Sequence, residues 1–141
     1  MRRAPEQVRK DPDQLQCERR LEAEVAVVWL AGRAVDVKHD LRAVERVHAH
    51  HDGRIACASG ADRFKVEMQL AKVGLAPYFA GRIFSGHEMP ATKPAPDVYL
   101  AAAAALQAAP TRCAVVEDTV TGVTAGVAAG ATVFAYAPLD D

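Results

Sequence analysis

"CAVVEDTVTG", residues 113–122, places four small apolar residues directly before two adjacent carboxylates, Glu117 and Asp118. Two threonines and a glycine follow. A short run that is apolar on both faces is what a fully buried parallel strand requires. Two like charges at its end therefore need a reason. Either they cap the helix that follows, or they face something positively charged.

The neighbouring sequence repeats the same grammar from residue 52 onward. "DG" (52–53) makes a turn and "RIACAS" (54–59) reads as a short apolar strand. "DRFKVEMQLAKVGL" (62–75) reads as a helix, with Phe64, Val66, Met68, Leu70, Ala71 and Val73 assigned to its inner side and Gly74 suited to its end. "GRIFSG" (81–86) is a further strand, and "KPAPDVYLAAAAALQAA" (93–109) a helix with Pro96 at its start. "CAVVE" (113–117), "TGVTAGVAAG" (121–130) and "TVFAYA" (132–137) give strand, helix and last strand. Short apolar strands alternating with helices predict an α/β class, with a Rossmann-like parallel sheet and flanking helices.

Residues 1–51 are less regular. The first twenty are polar and charged, with Pro5 and Pro12. "DLRAVERVHAHH" (40–51) has apolar residues at Leu41, Val44 and Val47, which predicts an amphipathic helix capped by Asp40. "VAVVWL", Val25 to Leu30, fits either a strand or a helix, and the helical stripe of "RRLEAEVAVVWL" favours helix. The domain reading is thus an N-terminal segment 1–51, with a helical portion, and an α/β core 52–141.

In sheets of this kind ligands bind outside the carboxyl ends of the strands. Three chemistries fall on that rim. Ser59 and Gly60 end one strand, Lys93 precedes a helix, and Glu117 and Asp118 end another strand. A serine hydroxyl and backbone N–H groups suit phosphate oxygens, and a lysine suits a phosphoryl group as a point charge. Paired carboxylates are hard oxygen ligands for Mg²⁺. Alone, each has a plainer explanation: a turn serine, a surface lysine, an acidic helix cap. Their recurrence at the same place in successive strand–loop–helix units favours a shared site.

"IACASG", "GRIFSGHEMPATKPAPDVYL" and "VVEDTVTGVTAGVAAGATVFAYAP" together resemble the haloacid dehalogenase superfamily, in its small phosphatase and phosphomutase branch. The resemblance extends from residue 52 to near the end of the chain. It implies a magnesium-dependent hydrolase in which an aspartate takes a phosphoryl group from a small phosphate ester and water releases it. It gives Ser59 and Gly60 a phosphate-binding role, Lys93 the role of steadying phosphoryl group and nucleophile, and Glu117 and Asp118 the metal site, with Asp118 the direct ligand. The finer likeness is to phosphatases of sugar phosphates such as 6-phosphogluconate, or of phosphoglycolate. The implied partner is a small phosphorylated metabolite.

The family's nucleophile lies in an Asp-x-Asp-Gly stretch after the first, central strand. The chain's single Asp-x-Asp is Asp11-Pro12-Asp13, with no apolar strand before it and Gln14 where the glycine belongs. A nucleophile without a rigid support loses its effective concentration, so Asp11 reads as part of an exposed turn. The segment available for a helical cap is also short. These departures predict an N-terminally incomplete phosphatase lacking its nucleophile, with the first central strand and most of the cap missing. The alternative is a non-catalytic binding module. A missing central strand would leave two inner edges unpaired, open to self-association, and Val25–Leu30 is the internal segment able to fill the gap. No carboxylate occurs in Ala31-Gly32-Arg33 behind it.

Bulk composition agrees with a globular chain. Of 141 residues, 50% are hydrophobic and 25% charged, with a net charge of −1. That balance argues against a nucleic-acid footprint or a membrane-surface patch, and no apolar run is long enough to span a bilayer. The basic N-terminus lacks the apolar stretch of a secretory signal. Cys17, Cys57 and Cys113 are far apart, and the last two sit in strand-like runs, which favours reduced buried thiols and a cytoplasmic protein. His48, His50 and His51 read as a solvated helix end, and Trp29 as a packing residue. Gly122, Gly126 and Gly130 read as close helix–sheet packing.

Overall fold

The computed structural model describes residues 25–28 and 37–135. Five parallel strands form one sheet: β1 (Val25–Val28), β2 (Ile55–Ser59), β3 (Ile83–Ser85), β4 (Cys113–Glu117) and β5 (Thr132–Ala135), in the order β3-β2-β1-β4-β5. The helices are α1 (Val37–His50), α2 (Arg63–Lys72), α3 (Asp97–Ala105) and α4 (Val120–Ala128). Side chains alternate across a strand, and β2 shows the consequence. Ile55 and Cys57 join Val44 of α1, Val66 and Leu70 of α2, Leu75 and Phe79 in one buried cluster. Ala56 and Ala58 join Cys113 and Val115 of β4 against Val98, Tyr99, Ala102 and Ala103 of α3 and Ala125 of α4. The sheet is thus covered on both faces, as a parallel sheet requires.

The segment for which a helix was favoured is a strand. β1 pairs with β2 on one side, Ala26 opposite Ile55 and Val28 opposite Cys57, and with β4 on the other, Val25 opposite Cys113 and Val28 opposite Val116. Pairing on both sides satisfies two rows of backbone groups that would otherwise face each other across a gap, and this outweighs the local helical stripe. Trp29 and Leu30, the end of the expected run, lie outside the described residues. So do Cys17, Asp11 and Asp13. The inner edges expected to be open are closed by the chain itself, leaving β3 and β5 as the edges of the described sheet.

Residue 52 is accordingly no boundary within the sheet: β1 lies at its centre and α1 contributes Val44 to its core. Helix α1 spans Val37–His50, so Asp40 lies within it instead of capping it. On α2 the buried stripe is narrower than its apolar content. Val66 and Leu70 are buried, whereas Phe64 is 74% and Met68 53% exposed, and Ala71 is exposed. Asp62 caps this helix, accepting from the N–H groups of Phe64 and Lys65. Of the three histidines, His50 is exposed and His48 stacks edge-on to Tyr78, but His51 is buried. Cys57 and Cys113 are buried within strands, as their setting predicts. None of the described helices is long and apolar enough to cross a membrane.

The three glycines of α4 and its end serve separate purposes. A Cβ on Gly126 would stand 2.7 Å from Val133 Cγ2, and one on Gly122 would overlap the Glu117 carboxyl group. Both let α4 lie close on the sheet. Gly130 instead adopts φ +86°, a left-handed turn before β5. Gly126→Ala is expected to destabilise the fold by about 1–3 kcal/mol through overpacking, read as a lower urea midpoint. An unchanged midpoint would show that α4 can move off β5 at no cost.

Candidate functional site

The strand order turns at β1. The chain leaves β1 toward β2 and leaves β4 toward β5, on the opposite side. Loops diverge at such a point and leave a crevice at the carboxyl ends of the strands. A cleft of ≈450 Å³ lies on that rim, and its walls include Ser59, Gly60, Lys93 and Thr119. These come from the loops after β2, before α3 and after β4. The structure thus brings together the expected serine, glycine and lysine, with the acidic pair at the end of β4 beside them.

Two strands end in the same way. "SG" closes both β2 (Ser59-Gly60) and β3 (Ser85-Gly86), and Ser59 and Ser85 are register partners. Ser59 is 6% exposed and its Oγ accepts from the Ala61 N–H at 3.1 Å. Ser85 is fully buried, donates to the Ala61 carbonyl at 2.6 Å and accepts from the His87 N–H. It ties the end of β3 to the Ser59–Ala61 loop. A Cβ on Gly60 would meet nothing within 4 Å, because the space above it is the cleft. Sequence reasoning passed over Ser85, although the repeated Ser-Gly was there to find it.

The acidic pair divides sharply. Glu117 is 1% exposed and lies on the face covered by α3 and α4. Its Oε1 accepts from Lys93 Nζ and from the Tyr99 hydroxyl. Its Oε2 accepts from the Asp118 N–H at 3.1 Å, the Thr119 N–H at 3.3 Å and the Thr119 hydroxyl at 3.1 Å. Lys93 is largely enclosed as well. Its side chain is 8% exposed, and Nζ sits 4.7 Å from the centre of the Tyr99 ring and 3.4 Å from the Ala58 carbonyl. Neither acid caps α4, since Thr119 does so by accepting from the Gly122 N–H at 3.1 Å.

Burial alone would push the Glu117 carboxyl up. The hydrogen bonds from Lys93 and Tyr99 and the lysine charge outweigh it and hold the group below its usual range. Burial pulls the Lys93 ammonium down, and the hydrogen bond and charge of Glu117 recover only part of that. Burial and the neighbouring carboxylate both drive the Tyr99 hydroxyl upward, so it remains a donor.

This geometry changes the expectation for a metal. With five donors on its two oxygens, Glu117 would have to surrender protein contacts to bind a cation directly. Asp118 is exposed at the rim, and its charge acts on Lys93. Mg²⁺ commonly takes one or two carboxylates and fills its octahedron with water and phosphate oxygens, so Asp118 fits as one hard ligand. Among the described residues no group of three or more His, Cys, Asp or Glu gathers to hold a metal.

A parallel α/β sheet carries a serine and a lysine on its carboxyl rim, with one acid buried beneath them and one exposed beside it. The chain belongs to the haloacid dehalogenase-like hydrolases, whose family model matches residues 1–130. The 6-phosphogluconate phosphatase of Escherichia coli is 32% identical over 72 residues, covering 51% of this chain and 33% of that protein. The fructose-1-phosphate phosphatase YqaB of the same organism is 35% identical over 97 residues, covering 68% and 51%. A family hydrolase from Deinococcus radiodurans R1, solved with bound phosphate and sodium, superposes with a TM-score of 0.57 at 34% identity, covering 71% of this chain and 43% of that one. The chain spans about half the length, or less, of the curated relatives it matches.

Because Glu117 is held below its unfolded value of 4.5, its charge stabilises the fold fully above that pH. The contribution is lost as pH falls through the lowered value. The difference in unfolding free energy between the native protein and Glu117→Gln is therefore expected to be constant from neutral pH down to about 4.5 and to narrow below it. Denaturant titrations along a pH series check this, and a difference that stays constant into acid would show that the network does not hold the charge.

Proposed function

We propose that this chain carries the phosphate-binding and magnesium-binding side of a phosphatase site for a small phosphorylated metabolite of the sugar phosphate kind. The observation that carries this reading is the cleft where Ser59, Gly60, Lys93 and Thr119 meet beside Asp118. Ser59 and the N–H groups around Gly60 would hold phosphate oxygens, and Lys93 would supply positive charge to the phosphoryl group. Asp118 would hold Mg²⁺, which when bound neutralises charge on the phosphate. Glu117 would act one step back, fixing Lys93. Family membership and two relatives, one named for the sugar-acid phosphate 6-phosphogluconate and one for fructose 1-phosphate, support the substrate class.

A specific observation favours a binding role over turnover. β1 is the central strand, and the residues that follow it, Trp29 to Arg33, contain no carboxylate. A phosphoryl group in the cleft would find no aspartate nucleophile at the position the family uses. In this reading the chain binds phosphate esters and Mg²⁺ and does not hydrolyse them by itself.

The test combines binding and turnover on the full chain. Inorganic phosphate is expected to bind, about tenfold more weakly in Ser59→Ala or Lys93→Arg. Mg²⁺ binding should fall in Asp118→Asn and persist in Glu117→Gln. No release of p-nitrophenol from p-nitrophenyl phosphate with Mg²⁺ is expected. Turnover that disappears in Asp118→Asn would overturn the binding-only reading in favour of an active phosphatase. Failure to bind phosphate would remove both.

A further inference from the structure

The cleft is larger than one phosphoryl group needs, since volumes of this order hold an entire small ligand. Beyond Ser59 and Lys93 its wall is formed by Lys65 and Gln69, four residues apart on α2, and by His87 after β3. Residues at this spacing share a helix face. Among the described residues the cleft lining contains no aspartate, no glutamate, and no phenylalanine, tyrosine or tryptophan. Its described lining includes three basic side chains, Lys65, His87 and Lys93. The charge of Lys93 is answered by Glu117 from beneath. Lys65 and His87 are exposed at the cleft, and among the described residues neither side chain makes a hydrogen bond or ion pair. Gln69 adds a side-chain amide that can donate as well as accept.

We propose that this wall is a second anion-binding subsite, and that the preferred ligand is a phosphorylated acid. Its phosphate lies at Ser59 and Lys93, and its second anionic group, a carboxylate or another phosphate, lies against Lys65, Gln69 and His87. The inference rests on the phosphate-binding reading above and adds the charge of the remainder of the substrate. A neutral sugar phosphate would leave the lysine and histidine unanswered. An aryl phosphate would find no ring to stack on.

Binding of three probes to the full chain, measured by calorimetry at low ionic strength, tests this. The probes are inorganic phosphate, glycerol 3-phosphate and 3-phosphoglycerate; the last two share a three-carbon frame and differ in the carboxylate. The phosphoglycerate is expected to bind about tenfold more tightly than glycerol phosphate, as one charge-assisted contact implies. In Lys65→Gln, and separately in His87→Gln, the ratio of the two affinities measured on the same variant should fall toward one. Both positions are exposed, so the variants are expected to fold. Equal affinity for the two esters, or a ratio untouched by both substitutions, overturns the second subsite while phosphate binding stands. No binding of inorganic phosphate overturns the parent reading itself.

Discussion

A carboxylate with 1% of its surface exposed must be matched by charge and hydrogen bonds, or it will not stay ionised. Glu117 meets that requirement with groups from every side. Lys93 comes from the loop before α3, Tyr99 from α3 itself, Thr119 from the start of α4, and Gly122 leaves the volume the carboxyl occupies. A single side chain thus bonds to the loop before α3, to α3 and to the cap of α4. Removing one member of a buried pair costs about 3–5 kcal/mol, because the other is left uncompensated. The end of β4 is therefore both the anchor of the α3–α4 face and the floor of the cleft.

Glu117 and Asp118 show how burial separates two residues of the same chemistry. They are adjacent in sequence, and alternation along the strand end sends them to different surroundings. One is consumed by the protein as an internal counter-charge. The other stays at the rim, where its field reaches Lys93. The lysine thus has an inner carboxylate that fixes its place and an outer, exposed one whose charge also acts on it.

Much of the fold was legible because residues 52–135 carry apolar runs and helix signals at short, regular spacing. Three features were not. The identity of β1 depends on β2 and β4, which lie far along the chain, so a stripe within "RRLEAEVAVVWL" could not decide it. The buried face of α2 is set by which stripe touches the sheet, and Phe64 and Met68 fall outside it. The saturation of Glu117 required knowing that Lys93, 24 residues away, and Tyr99, 18 away, converge on one oxygen. The rim itself was readable, since serine, lysine and acid each stand at a strand end or a helix start. The reason for the acidic pair was only half readable: a positive partner was expected, and for Glu117 it is supplied from within.

The contacts that place Lys93 run through Glu117, and they also join β4 to α3 and to the start of α4. Selection on folding alone would then preserve the recognisable motif even in a lineage that no longer needs the reaction. Stretches such as "KPAPDVYL" and "VVEDT" are then constrained by the fold as well as by any reaction. A match to these stretches therefore reports the architecture of the sheet before it reports turnover.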